Sequence, residues 1–161
     1  MLLEQQRQEL FDYVTSISLD DLFKKPTEDS WDTLQILAHL ALIEQDATKA
    51  VQQALLEQDY VEEVPQKPVH LAADRTKKVE TKDRWQPKEP HYTLETVMAQ
   101  LEHSRQALNQ VLSHASDRDL EHLLIETDPF GPISIAQFID FLQYHEQRHF
   151  DQIKENVQLP S

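Results

Sequence analysis

Residues 134–153 read SIAQFIDFLQYHEQRHFDQI, and their apolar side chains recur every three or four positions. On a 3.6-residue helix this spacing makes a single apolar stripe that faces a protein core. The apolar members of the stripe are Ile135, Phe138, Ile139, Leu142 and Ile153. Ser134 is a typical N-cap residue, and Gln137 three positions later completes the pattern of a capping box. This stretch therefore predicts a long amphipathic helix that begins after Ser134.

The same apolar spacing predicts three earlier helices. The first covers residues 2–18, and residues 19–30 are predicted to form a loop. Ser30 or Asp32 offers an N-cap for a second helix that continues to about residue 57. Thr93 is the predicted cap of a third helix that ends near Ser116.

Residues 59–92 interrupt the pattern, since four prolines divide a mixed-charge stretch that holds seven of the 15 basic residues. We predict a long crossover that either covers the mouth of a pocket or contains a short helix near residues 71–78, because long connections inside a compact domain are usually functional. The chain has 161 residues and a single glycine, which favours helices over sheet. The sequence thus predicts one all-α domain over residues 1–161: a four-helix bundle with a long crossover between helices 2 and 3.

The charge and composition exclude several classes of function. A formal net charge of -14 repels polyanions and argues against nucleic acid as a direct ligand. We expect a cytoplasmic protein without a membrane partner, because the sequence has no apolar run of about 20 residues and no basic secretory start. The absence of cysteine removes thiolate nucleophiles and thiolate metal sites.

Three histidines stand where apolar residues are expected. His145 and His149 are four residues apart and continue the core-facing stripe of the last helix, so their imidazoles leave the same face one turn apart. His39 has apolar helical neighbours on the second helix. Since a bundle brings these faces together, we predict a site in which the three imidazoles bind one divalent metal ion.

The ligand set leaves several questions open. Three protein ligands with an open position are typical of catalytic rather than structural sites. Imidazole favours Zn or Ni, and Fe or Mn would also suit, so the sequence does not identify the metal. Each histidine alone is more often a hydrogen-bonded core residue, and an empty triad is the alternative to a metal site.

Glu146 completes the H-E-x-x-H pattern of zinc proteases, in which the glutamate is the general base. The protease interpretation lacks its downstream third ligand, because only twelve residues follow His149. Glu146 is kept as a candidate general base, although the helix turns it about 100° away from His145. The alternative is a solvated carboxylate paired with a surface cation.

Several motifs resemble the DinB-like, or YfiT-like, superfamily of bacterial four-helix bundles. They are residues 31–40 with Trp31 and His39, residues 92–95 after the proline-rich crossover, and residues 135–153 with their His-x-x-x-His. The resemblance covers nearly the whole chain. It implies a metal triad with one histidine on the second helix and two on the fourth, which corresponds to His39, His145 and His149. It also implies that homodimers are frequent.

The resemblance implies transferases and isomerases that use a low-molecular-weight thiol. We therefore expect a metal-dependent enzyme with a small-molecule substrate, either a transferase that uses such a thiol or a hydrolase that activates water. A non-catalytic bundle that binds a metal or ligand for sensing or stress protection is the alternative. Five basic side chains could line a pocket for such a molecule: Arg75, Lys77, Lys78, Arg84 and Arg148. Two histidines outside the triad, His70 and His91, are further candidates. Trp31 is predicted to lie in the core, and Trp85 in either the core or a lid.

Overall fold

The computed structural model describes residues 2–76, 81–89 and 91–161, and it confirms the predicted four-helix bundle. Four long helices build the bundle: α1 Leu2–Thr15, α3 Thr33–Glu57, α4 Leu94–Leu112 and α6 Ile135–Val157. Two short helices, α2 Leu19–Leu22 and α5 Asp117–His122, and two strands, β1 Leu124–Thr127 and β2 Gly131–Ser134, lie between them. Helix α3 packs along α4, while α6 contacts both α1 and α3. Within the described residues, none of the helices has the length and apolar character needed to cross a bilayer.

Side-chain caps set the helix starts that the sequence predicts. The Asp32 carboxylate accepts from the backbone N–H of Gln35, whose side chain accepts in return from the Asp32 N–H, both at 2.9 Å. Thr93 caps α4 as expected. Ser134 caps α6 by accepting from the Gln137 N–H, but the predicted reciprocal bond from Gln137 is wrong. The Gln137 side chain binds the crossover instead, as described below.

The connections contain structure that the sequence analysis missed. Helix α1 ends at Thr15, and part of the predicted loop over residues 19–30 is helix α2. Helix α4 ends at Leu112 rather than near Ser116, and the connection that follows holds α5 and a β-hairpin. An alternation of apolar residues that lasts only four residues is too short a pattern to predict a hairpin.

The hairpin leads directly into α6. Strands β1 and β2 pair antiparallel, with Ile125 opposite Ile133 and both side chains buried. Gly131, the one glycine in the sequence, has φ of 67°, a left-handed conformation that a side chain would disfavour. Because β2 ends at Ser134, the hairpin places the N-cap of α6 directly.

A layer of buried charges divides the core into two apolar clusters. Each long helix contributes one member: Arg7 from α1, Glu44 from α3, Arg105 from α4 and Glu146 from α6, all at most 5% exposed. Arg7 donates to both carboxylates, and so does Arg105. Along α3, Glu44 separates Ala41 of one cluster from Ala47 of the other. The charges balance within the layer, which is the condition for burying them.

The crossover lies against the bundle instead of looping away from it. It contains two 3-10 helices, Val69–Ala73, which packs on α6, and Asp83–Trp85, which contacts α3. The Gln137 side chain donates to the Pro65 carbonyl at 2.7 Å and accepts from the Lys67 N–H at 3.0 Å. The short helix predicted near residues 71–78 therefore occurs earlier, at Val69–Ala73, and residues 77 and 78 lie outside the described residues.

Candidate metal centre

The three predicted histidines converge in the bundle. His39 is contributed by α3, and His145 and His149 by successive turns of α6. Their ring centroids are 5.5 Å apart for His39 and His145, 4.7 Å for His39 and His149, and 4.6 Å for His145 and His149. One nitrogen from each ring can be chosen so that all three lie within 4.8 Å of one another. The spatial part of the prediction, a three-histidine cluster on two helices, is therefore present.

Hydrogen bonds orient two of the three rings. His39 Nδ1 lies 2.8 Å from the backbone carbonyl oxygen of Trp85, and His149 Nδ1 lies 2.8 Å from Oε1 of Gln152. Both partners are acceptors, so each Nδ1 carries the proton and donates it. The Nε2 atoms of His39 and His149 then keep their lone pairs. A metal-binding histidine usually has this arrangement, with its second nitrogen donating to a carbonyl or amide oxygen.

Burial keeps the three rings neutral. His39 is 2% exposed and His149 is 7% exposed, while His145 is half-buried. Burial lowers the pKa of His39, although the hydrogen bond to Trp85 opposes the shift. Burial, aided by the neighbouring His39 ring and the Arg148 guanidinium, lowers the pKa of His145 to about 3. Burial and the two other imidazoles hold the pKa of His149 well below its ordinary value.

These features fit a divalent transition metal. A metal ligand must be a neutral imidazole, and the lowered pKa values meet that condition at neutral pH. Tetrahedral Zn–N bonds of about 2.0–2.1 Å require ligand nitrogens about 3.3 Å apart, so small side-chain rotations would close the cluster around an ion. Among the described residues, the cluster contains three histidines and no carboxylate.

Aromatic rings line two sides of the triad. The Trp31 ring lies 4.8 Å from the His39 ring, and the Phe141 ring lies 6.0 Å from the His145 ring, measured between centroids. The Trp31 carbonyl accepts from the Asn156 side chain at 2.9 Å, which fixes the tryptophan at the start of α3. Trp31 is half-buried and packs against the apolar cluster that contains Ala41, in agreement with its predicted core position.

Glu146 does not join the triad. Its carboxylate accepts from Arg7 Nε at 3.1 Å and from Arg105 at 3.4 Å, inside the buried charge layer. The alternative of a solvated surface carboxylate is wrong, because Glu146 is only 4% exposed. The helix points Glu146 and His145 to different faces of α6, as the 100° turn between adjacent residues requires. The contacts that Glu146 makes with other described residues lie in the charge layer and do not support the general-base role.

The candidate pocket residues have different surroundings. His70 and His91 are exposed, and the His70 ring lies 6.4 Å from Tyr144 rather than in the cluster. Arg75 pairs with Glu155 at 3.2 Å, and Arg84 pairs with Asp46 at 3.1 Å.

Arg148 is 8% exposed and donates to the Asp74 carbonyl, so its side chain is buried against the crossover rather than solvated at the surface. Lys77 and Lys78 lie outside the described residues.

Sequence reasoning missed the residues that orient the histidines. Gln152 stands three positions after His149, a spacing that brings side chains together on a helix, and that signal was available. Trp85 acts through its backbone carbonyl, for which the side-chain pattern gives no signal. Glu44 interrupts the apolar stripe of α3, and this could have indicated the buried charge layer.

Comparisons with known proteins identify the family and the fold. Residues 2–153 match a family model described as the DinB superfamily, and the matched range includes all three histidines. A Bacillus subtilis (strain 168) protein described as uncharacterized protein YuaE is 25% identical over 154 residues, covering 96% of this chain and 94% of that protein. The crystal structure of TT2238, a four-helix bundle protein, matches with a TM-score of 0.64 and 17% identity, covering 96% of this chain and 94% of that one.

Proposed function

The chain belongs to the DinB superfamily, and from that membership and the site we propose a metal-dependent enzyme that binds one divalent ion through His39, His145 and His149. The observation that carries the proposal is the convergence of three neutral imidazoles, two of them oriented through Nδ1, within 4.8 Å. Zinc or nickel is the first choice of metal, since imidazole nitrogen suits both, and iron or manganese follow.

We propose that the nucleophile is a low-molecular-weight thiol rather than water. A divalent ion lowers the pKa of a thiol or of water at its open position, which supplies a nucleophile at neutral pH. A free thiol starts from a pKa of about 8.5 and water from about 15.7, so the thiol needs far less assistance. Glu146, the candidate base for a hydrolase, is held by two arginines, and this favours transfer of a thiol to an electrophile.

The chain's own residues have separate parts in this proposal. His39 and His149 present Nε2 because the Trp85 carbonyl and Gln152 hold the opposite nitrogen. Trp31 and Phe141 place apolar surface beside the rings, which limits water next to the nucleophile. These contacts support a thiol transferase more than a site built for water activation.

The test combines metal binding with turnover. Tag-free protein prepared without a nickel column is titrated with Zn and Ni by calorimetry, then assayed with chlorodinitrobenzene and a panel of thiols including glutathione, cysteine and coenzyme A. We expect one ion per chain and metal-dependent thiol transfer. His149→Ala is expected to lose both, whereas His103→Ala, which removes an exposed histidine of α4, retains both.

Each alternative has its own outcome. Tight metal binding with no turnover on thiols or hydrolysable esters would favour the non-catalytic sensing or stress-protection bundle. A metal content far below one per chain, with no binding on titration, would favour the empty triad and overturn the proposal. Turnover that persists in chelator or in His149→Ala would remove the metal from the reaction.

We further propose a cytoplasmic homodimer, following the frequency of dimers that the resemblance implies. The acidic surface supports a partner other than nucleic acid, since the formal net charge is -14. Light scattering at several protein concentrations tests the dimer, and a monomeric mass at all of them would contradict it.

A further inference from the structure

The acceptor that orients His39 comes from the crossover. His39 donates from Nδ1 to the carbonyl oxygen of Trp85, which follows it by 46 residues and belongs to the 3-10 helix Asp83–Trp85. A backbone carbonyl can hold the imidazole only if the backbone itself is held in place. The position of Trp85 therefore decides which nitrogen of His39 carries the proton.

A second side chain of helix α3, that of Asp46, also binds Trp85. The indole Nε1 donates to Asp46 Oδ2 at 2.6 Å. Asp46 follows His39 by seven residues, which is about two helical turns, so the two side chains leave nearly the same face of α3. One helix thus binds the carbonyl of Trp85 with one side chain and its indole with another.

Two neighbouring cations, Arg84 and Lys82, also contact the Trp85 ring. Arg84 pairs with Asp46, Nε to Oδ2 at 3.1 Å, and its guanidinium lies 4.6 Å from the centroid of the Trp85 ring. The Lys82 ammonium lies 5.5 Å from the same ring and pairs with Asp128 in the hairpin turn at 2.5 Å. A cation over an indole face is attracted to it, so both cations help to fix the ring.

We propose that Asp46, acting through Trp85, is a positioning residue for His39, and that the 3-10 helix Asp83–Trp85 is a structural part of the metal centre. This inference rests on the proposed metal-binding function. The Asp46 carboxylate does not reach the triad; it fixes the indole, the indole fixes the carbonyl, and the carbonyl fixes His39 with Nε2 turned to the other two histidines. Outer contacts of this kind set the affinity of metal sites.

The coupling acts in both directions. An ion bound at Nε2 of His39 requires the proton on Nδ1 and strengthens its bond to the Trp85 carbonyl. Metal binding therefore holds the crossover more firmly against α3, by the same free energy with which the crossover favours metal binding. Trypsin cleavage after Lys82 and Arg84, both exposed, is expected to slow when zinc is added.

The test compares variants of full-length, tag-free protein by zinc calorimetry. Asp46→Ala removes the indole acceptor and is expected to weaken zinc binding by about 10-fold, the lower end of the range for outer contacts of metal sites. Asp46→Asn keeps an oxygen for the indole N–H and is expected to restore most of the affinity. Trp85→Phe removes the indole N–H and keeps the carbonyl, and should behave like Asp46→Ala.

Glu155→Ala is the matched control. It breaks the exposed pair with Arg75, which also joins the crossover to the bundle but does not hold Trp85. We expect less than about a twofold change in zinc affinity, as for an exposed ion pair. Urea unfolding of the metal-free variants checks that a weaker affinity for zinc does not follow from a general loss of stability.

A spectroscopic measurement separates positioning from a general structural role. Proton–nitrogen correlation spectra of the metal-free protein are expected to show His39 protonated at Nδ1 in wild type and as a tautomer mixture in Asp46→Ala. Wild-type zinc affinity in Asp46→Ala, or an unchanged His39 tautomer, would overturn the inference. If wild type itself binds no zinc, the proposed function fails, and the tautomer in the metal-free protein still decides the role of Asp46.

Discussion

His39, His145 and His149 are held in the proton state that metal ligands need, and the cause is their surroundings rather than their spacing alone. Protein atoms replace water around the rings, which lowers the pKa of all three. The spacing of four residues on α6 was sufficient to predict that two rings share a face. Which nitrogen each ring presents depends on Trp85 and Gln152, and no side-chain pattern predicts a backbone carbonyl from a distant segment.

The lowered pKa values predict a pH-dependent stability of the metal-free protein. Above about pH 7.5, His145 is neutral in both the folded and the unfolded chain and contributes no pH dependence. Below that pH the His145 ring becomes protonated in the unfolded chain, whereas in the folded chain it stays neutral down to about pH 3. The free energy of unfolding therefore falls as the pH falls. Between about pH 7.5 and about pH 5.5 this single histidine lowers it by about 1 kcal/mol.

Urea unfolding in the presence of a chelator measures this effect. His145→Ala is expected to show a shallower dependence of the unfolding free energy on pH than wild type, while His103→Ala, at an exposed position, keeps the wild-type slope. Identical slopes for wild type and His145→Ala would show that the ring is not protected from protonation in the folded state.

Among the elements, the four long helices are joined by the charge layer of Arg7, Glu44, Arg105 and Glu146. One charge from each helix meets at a single level between the two apolar clusters, so a helix that slips by one turn leaves a buried charge without its partner. Apolar stripes alone allow such slips, and the layer opposes them. Glu146 therefore has a structural role in the layer and no part in the chemistry that we propose for the triad.

Glu146→Gln is expected to lower the free energy of unfolding by about 3–5 kcal/mol, because it leaves the buried positive charges of Arg7 and Arg105 poorly compensated. The measurement is urea unfolding at neutral pH. Asp83→Asn breaks the exposed pair with Lys88 and should cost less than about 0.5 kcal/mol. A cost for Glu146→Gln as small as that of Asp83→Asn would show that the layer contributes little.

For the whole molecule, the sequence predicted the elements with long periodic patterns and missed those fixed by local or distant contacts. The apolar stripes gave the helices α1, α3, α4 and α6, and the caps Asp32, Thr93 and Ser134 marked their starts. The hairpin Leu124–Thr127 and Gly131–Ser134 was missed because its strands are too short for alternation to stand out.

The place of the crossover could not be predicted from its own composition. Its prolines and charges are typical of a solvated connection, yet Gln137, Asp46 and His39 bind its backbone or its tryptophan. These partners are distant in sequence and become neighbours only when the bundle has formed. The same reason explains why the triad could be predicted and the Trp85 carbonyl that orients His39 could not.

X-ray absorption spectroscopy of the zinc-loaded, tag-free protein tests the convergence of the three imidazoles most directly. We predict three imidazole nitrogens at about 2.0–2.1 Å with water in the remaining position, and a loss of one imidazole in His39→Ala. A zinc environment with two imidazoles or fewer in wild type, or one unchanged in His39→Ala, would contradict it.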